Sequence, residues 1–271
     1  MNMKKLLSVL VLSTTMTAWS DVPVLATDIT PNQKIINLGY SDVSMTQDFE
    51  SGYAEVVTDT NIDVKTLELI VSGESTHKAI PILSLAVSKL SSDDGSDDVS
   101  SYDVYAGFAL EGDMKKNLLL VSYEGSSENT LQSSYGLMAV FRSAPNEYTK
   151  SDYELVTSLE LQDSTDEVSG GHSAGISLNS KYPFSNSVHL VSNAGLSLEA
   201  DTDYATGEYR KAGPGINAGL GLSIQPQPNM EIEVGLASFV QHFKYYQSND
   251  RYEFKETRTG VGLSFDLNIA L

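Results

Sequence analysis

The sequence predicts an all-β fold, an antiparallel up-and-down transmembrane β-barrel of about twelve strands, and three observations carry that prediction. From Gly260 onward, Val261, Leu263, Phe265, Leu267, Ile269 and Leu271 alternate with Gly262, Ser264, Asp266, Asn268 and Ala270. A period of two places these sets on opposite faces of a strand. The same alternation recurs along most of the chain back to Ile35. The N-terminus, finally, has the layout of an export signal. One strand of this kind also suits a soluble sandwich. Repeated along an exported chain, it suits a wall with lipid outside and a polar lumen inside, the way of crossing a membrane that uses strands.

Met1 to Ser20 begins with Lys4 and Lys5, continues through the apolar run Leu6 to Leu12, and reaches Ala18-Trp19-Ser20. A basic start, a short apolar run and a small-x-small site form a secretory signal peptide. Residues 1–20 are therefore expected to be removed, with an alternative cleavage after Ala26. A run of seven residues, six of them apolar, falls far short of the roughly 20 that a membrane-spanning helix needs. The single tryptophan, Trp19, would leave with the signal. The absence of cysteine excludes a lipid-modified N-terminus and any disulfide, although the compartment would permit the latter.

The chain counts 17 Lys and Arg against 36 Asp and Glu, a net charge of −19. Loss of Lys4 and Lys5 with the signal makes it −21. Such a surface repels nucleic acid and attracts cations. A long acidic chain can be disordered, but 41% hydrophobic content in sustained alternation indicates folded strands instead.

Residues 21–33 carry no periodic pattern and read as a periplasmic tail, leaving 34–271 for the barrel. Ile36, Leu38 and Tyr40 mark the first strand. Gly52 to Val71 reads as one long strand or as two broken at Asp59-Thr60-Asn61, and one strand gives the even number expected of a single-chain barrel. Ala79 to Leu90 is apolar on both faces and contains Pro81, which makes it the least barrel-like segment. Later strands are clearer. Tyr102, Val104, Ala106, Phe108 and Leu110 alternate with Asp103, Tyr105, Gly107, Ala109 and Glu111. Leu118 to Tyr123, then the faces that begin at Tyr135, Tyr153, Ala174 and Val188, continue the series. Ala212 to Ile224 alternates with glycines, and Ile232, Val234 and Leu236 oppose Glu231 and Glu233. Twelve strands follow, with ten or fourteen as the neighbouring solutions.

With the C-terminus taken as periplasmic, the links sort into two classes. Gln225 to Asn229, Pro183 to Asn186, Ala144 to Lys150 and Gly112 to Lys116 fall inside and are short. Gln247 to Arg251, Glu199 to Glu208, Asp163 to Gly171, Glu124 to Thr130 and Ser91 to Ser101 fall outside, and most are longer and acidic. Outer-membrane barrels show this asymmetry. Aromatics collect near strand ends, among them Tyr182, Phe184, Tyr204, Tyr209, Phe243, Tyr245, Tyr246, Tyr252 and Phe254, where interfacial girdles would lie.

On these patterns, Ile35 to Leu271 resembles the Gram-negative outer-membrane β-barrel class. The resemblance implies outer-membrane residence, contact with outer-membrane lipids and lipopolysaccharide, and passage through the export and barrel-assembly machinery. Members of that class commonly end in an aromatic residue, and Leu271 stands in that place here, with Phe265 the nearest aromatic.

Chemical signatures are sparse. His189-Leu190-Val191-Ser192-Asn193-Ala194-Gly195 looks similar to the His-x-Ser-Asn patterns of outer-membrane phospholipase A and of lipid A deacylases. In those patterns histidine and serine stand two apart, on one face. Here His189 and Ser192 stand three apart, hence on opposite faces unless a β-bulge intervenes. His172 and Ser173 are adjacent and diverge in the same way, His77 reads as a turn residue, and His242 as interfacial. Asp93, Asp94, Asp97 and Asp98 around Gly95 offer carboxylate oxygens to a hard cation but lack the ordered spacing of a calcium loop, so a solvated external loop is expected. Gly213, Gly215, Gly219 and Gly221 alternate within a strand with no helix after them, which speaks for low lumen bulk or strand curvature rather than a phosphate loop.

The expected function is therefore a small channel-forming, porin-like protein that favours cations, or a structural barrel, with no cofactor. Asp103, Glu111, Glu231, Glu233 and Asp266 are the candidate lumen acids and Arg258 their candidate partner. The alternatives are a lipid hydrolase with His189 and Ser192 in the barrel wall, and a soluble periplasmic β-sandwich that binds a ligand.

Overall fold

The structure, a computed structural model, describes residues 34–51, 54–73, 79–93, 99–110, 117–126, 133–143, 151–163, 171–201, 209–247 and 253–271. Residues 1–33, Glu111, Asp94, Asp97, Asp98, His77, Tyr204 and Tyr252 lie outside that set.

Twelve strands follow in chain order: β1 (Ile35–Ser51), β2 (Ala54–Ser72), β3 (Ala79–Ser92), β4 (Val99–Leu110), β5 (Asn117–Ser126) and β6 (Ser134–Ser143), then β7 (Asp152–Gln162), β8 (Gly171–Pro183), β9 (Val188–Asp201), β10 (Tyr209–Gln227), β11 (Met230–Gln247) and β12 (Glu253–Ala270). Each pairs antiparallel with its neighbours in sequence, and β1 pairs with β12 to close the ring. Ala54 to Ser72 is one strand, unbroken at Asp59-Thr60-Asn61, as an even count requires; Gly52 and Tyr53 lie outside the described residues. The strands run further than their alternation suggests: β10 continues to Gln227, so its turn is only Pro228-Asn229. A hydrogen-bonded ladder does not need an apolar face to persist.

Closure fixes the geometry. A rung followed from Arg258 on β12 through Gln241, Gly215 and Ser197, and on through Ile82, Ser72 and Ile35, returns to β12 at Ala270. That is a stagger of about one residue per strand, which at about 3.3 Å along a strand and about 4.8 Å between strands tilts the strands by roughly 35°. The wall is then a cylinder roughly 22 Å across. One rim holds both Ile35 and Leu271 and is called the terminus end; the other is the loop end.

The outward face is the greasy one. Leu67, Leu159, Leu196, Leu220 and Leu263 are all more than half exposed, as are Phe108 and Phe141. At the carboxyl end Val261, Leu263, Phe265 and Leu271 point out, while Asn268 is buried. A soluble sandwich would pack these residues against a second sheet, and the single closed ring leaves them nothing to pack against. The sandwich alternative is thereby overturned. Tyr102, Tyr123 and Tyr135 stand side by side on β4, β5 and β6, ring centroids 6.2 and 5.3 Å apart, toward the loop end of the outer face. His242 is also outside, its Nδ1 3.0 Å from Thr257 Oγ1. Phe243, expected among the interfacial aromatics, is instead buried inside the ring. Ile232, Val234 and Leu236 set the outward parity of β11, and Phe243 has the other.

The inner face has two unlike arcs. Across β1 to β7, Ile35, Ile70, Ile80, Ile82, Leu120, Met138, Val140 and Val156 form one packed cluster, with Tyr105 and Ala270 against it. This explains why β3 is apolar on both sides: one side meets the exterior and the other meets a core inside the barrel. Pro81 is tolerated because its carbonyl accepts from Gly73 N at 2.9 Å, beyond the last β2–β3 rung at Ser72 and Ile82. Its missing N–H therefore falls where that ladder ends. Across β8 to β12 many inward positions are instead small, among them Gly175, Ser177, Asn193, Gly195, Ser197, Gly215, Asn217, Gly219, Gly235 and Gly260.

Candidate pore lumen

Three layers of inward side chains follow one another along the small-residue arc. Near the terminus end, Lys181 on β8 pairs with Glu231 on β11, and Ser223 on β10 donates to the same carboxylate oxygen. Lys181 and Glu231 are both largely buried. Close by, Asn37 donates to Asn268 at 2.8 Å, stitching the β1–β12 seam from within. Glu233 and Asp266, opposite one another on a β11–β12 rung, are half-buried above this layer.

Midway the wall recedes. Gly175, Gly195 and Gly215 stand where serine or asparagine side chains from neighbouring strands fill the room a β-carbon would need: Ser158 Oγ at Gly175, Asn217 Oδ1 at Gly195, Ser197 Oγ at Gly215. The result is a recess open to solvent and bordered by β7 to β11. This is the role expected of the β10 glycines.

Toward the loop end a polar network runs along the inner wall, linking β12 to its neighbours β1 and β11 and reaching past β10 to β9. Arg258 lies on one rung between Gln47 of β1 and Gln241 of β11. Its Nε donates to Glu256, which also accepts from Gln47 Nε2. Its guanidinium carbon lies 4.6 Å from the centroid of the Phe243 ring, a cation–π contact. Phe243 can lean over β10 because Gly213 has no side chain; a β-carbon there would come within 2.7 Å of the ring. Gln241 Nε2 donates to Glu199 Oε2 at 3.1 Å, and Ser173 donates to Glu160 at 3.2 Å. Arg258 is 0% exposed. A guanidinium so enclosed is tolerated only because carboxylate and ring surround it.

Among the expected lumen residues, Asp103, Glu231 and Arg258 are buried inside the ring, and Glu233 and Asp266 face inward. Glu111 lies outside the described residues. Glu68, Glu154, Glu160, Glu199, Glu256 and Lys181 also face inward and were not singled out. Their parity was readable: Glu160 stands between Leu159 and Leu161, both exposed to the outside. The Gln47–Glu256 and Gln241–Glu199 contacts have no such signal, since they depend on which strands are neighbours in the ring.

The proposed His189–Ser192 pair is not formed. His189 is on the inward side, on a rung with Ser223, and Ser192 is on the outward side with its hydroxyl 2.8 Å from that of Ser180. No register shift occurs on either side of β9 over this stretch, so no bulge reunites them. A base must reach its nucleophile, and here the barrel wall separates them. His172 and Ser173 diverge likewise, the former exposed and the latter buried. Asp93 is an exposed turn residue that accepts from Asn61 N at 3.0 Å and Asn61 Nδ2 at 2.8 Å. Among the described residues no group of three or more His, Cys, Asp or Glu is placed to hold a metal ion.

No protein-family model matches the chain, and no curated protein sequence matches it significantly. Solved structures do. The chain is similar to an outer membrane channel from Pseudomonas putida F1, with a TM-score of 0.60 at 12% identity over 90% of this chain and 97% of that one. It is similar to the translocator domain of the autotransporter NalP from Neisseria meningitidis, with a TM-score of 0.51 at 16% identity and 96% of each chain covered. A mutant of the TodX monoaromatic hydrocarbon channel gives a TM-score of 0.50 at 7% identity, with 91% and 92% covered. What these likenesses share with the chain is the fold, that of the Gram-negative outer-membrane β-barrels.

Proposed function

We propose that this chain is a small outer-membrane channel that favours cations. The observation that carries the proposal is the sign of the lumen. Among the described residues, the inward positions of the ladder carry Glu68, Asp103, Glu124, Asp152, Glu154, Glu160, Glu199, Asp201, Glu231, Glu233, Glu256 and Asp266 against Arg142, Lys181, Lys211 and Arg258. Fixed carboxylates in a narrow passage concentrate cations and repel anions. The hollow β8–β12 arc supplies the path. The terminus end faces the periplasm in this reading, after removal of the signal peptide. Lipid and lipopolysaccharide surround the wall, which the export and assembly machinery would have inserted.

Reversal potentials of single channels in planar bilayers under a KCl gradient test the proposal. Potassium preference is expected, and chloride preference would refute it. A second reading, a structural barrel, is favoured by the inward side chains packed together in the β1 to β7 arc and by the Lys181–Glu231 pair near one rim. Its signature is a heat-modifiable, membrane-inserted protein with no conductance.

A further inference from the structure

We propose that the cavity against β7 to β11 is a binding site for small organic ammonium ions; this rests on the cation-favouring reading of the lumen and names a solute class for it. Several features converge there. The Phe239 ring lines the cavity and lies across Gly260, where any β-carbon would run into it. Gln241, also lining it, is 2% exposed; its Nε2 is committed to Glu199, while its Oε1 accepts no hydrogen bond. Asn193 Oδ1 is a second buried acceptor on the same wall with no donor. Ser158 and Ser197 line the cavity, and two residues further toward the loop end on the same strands stand the inward carboxylates of Glu160 and Glu199, the latter bonded to the lining residue Gln241.

Acceptors that lack donors ask for N–H or O–H groups in a ligand. Carboxylates at the rim select a positive charge among the molecules that bring them. An aromatic face adds a preference for an ammonium carried on a short alkyl stem, which can bury methylenes and still offer its charge to the ring. A primary amine meets all three conditions. A neutral polyol meets the first alone.

The test is titration calorimetry of the detergent-folded barrel with putrescine, and with butanediol as the uncharged molecule of the same length. Saturable heat is expected with the diamine and none with the diol. Loss of the cation–π contact in Phe239→Leu should weaken diamine binding about tenfold, and Gln241→Met, which removes the acceptor, should weaken it too. The shift in gel mobility between heated and unheated samples reports whether each variant is folded, and either folded variant suffices. Absent saturable heat, equal heat from the diol, or an unchanged affinity in the folded variants overturns the site. A potassium-selective pore that ignores putrescine removes this site alone, whereas a chloride-selective pore removes the reading beneath it.

Discussion

The two arcs of the barrel wall share an outer face and differ in the inner one. Outside, Leu83 and Leu85 on β3 are the equals of Leu220 and Leu222 on β10, all exposed. Inside, β3 presents Ile80, Ile82, Ala86 and Leu90, and β10 presents Gly215, Asn217, Gly219 and Gly221. Side chains from β1 to β7 meet across the lumen and fill it, as in a soluble core. Those midway along β8 to β10 are glycine, serine and asparagine, too short to reach across, and the longer side chains of this arc meet one another nearer the two rims. Alternation specifies a wall, and the bulk of the inward residues decides whether the space behind it is filled or hollow.

Substitutions separate the two halves. The largest effect is expected at the network where the arcs join. Arg258→Ala leaves Glu256 and Gln47 enclosed without their cation, which by the usual cost of stranding one member of a buried ion pair destabilises by about 3–5 kcal/mol. Urea unfolding in lipid vesicles measures it, and the double variant Arg258→Met, Glu256→Leu should recover most of the loss. Next comes the filled arc. Ile80, fully buried, should lose about 2–5 kcal/mol as Ile80→Ala, whereas Ser197→Ala in the hollow arc should change stability by less than about 0.5 kcal/mol. Equal effects at the two positions would erase the distinction between the arcs.

Conductance should show the reverse order. Gly175→Leu projects into the cavity, displacing only the Ser158 hydroxyl 2.7 Å from the new β-carbon, and should reduce single-channel conductance with little cost in stability. Ile80→Ala should leave conductance unchanged. The smallest effect is outside both arcs. Ser192→Ala removes one partner of an outward hydroxyl pair, and a shift of about 0.6 kcal/mol or less is expected. It should also leave any lipid hydrolysis untouched, since His189 is on the other side of the wall.

Most of the wall was legible in the chain. The outward sets on β4, β10, β11 and β12 follow from period two alone, and so do the inward positions of Asp103, Glu231 and Arg258. Phe243 was misplaced because a cluster of aromatics near a strand end looks interfacial, although carrying the parity of Ile232 and Val234 along β11 turns it inward. The filled arc was not legible. Ile80 and Ile82 look out of place on a barrel strand until β3 is known to face β5, β6 and β7 across the lumen, and closure is a property of twelve strands rather than of one. The Gln47–Glu256 contact is hidden for the same reason: it joins residues from the two ends of the chain.

The absence of cysteine makes the central claim directly measurable. Single cysteines at Leu196, Ser197 and Ile82, in protein reconstituted into vesicles, can be offered a charged water-soluble thiol reagent and an uncharged lipid-soluble one. Ser197→Cys should react with the water-soluble reagent, Leu196→Cys only with the lipid-soluble one, and Ile82→Cys with neither. Labelling of Leu196→Cys from water, with Ser197→Cys protected, would mean that the greasy face is not the outer one, and would contradict the barrel and its lumen together.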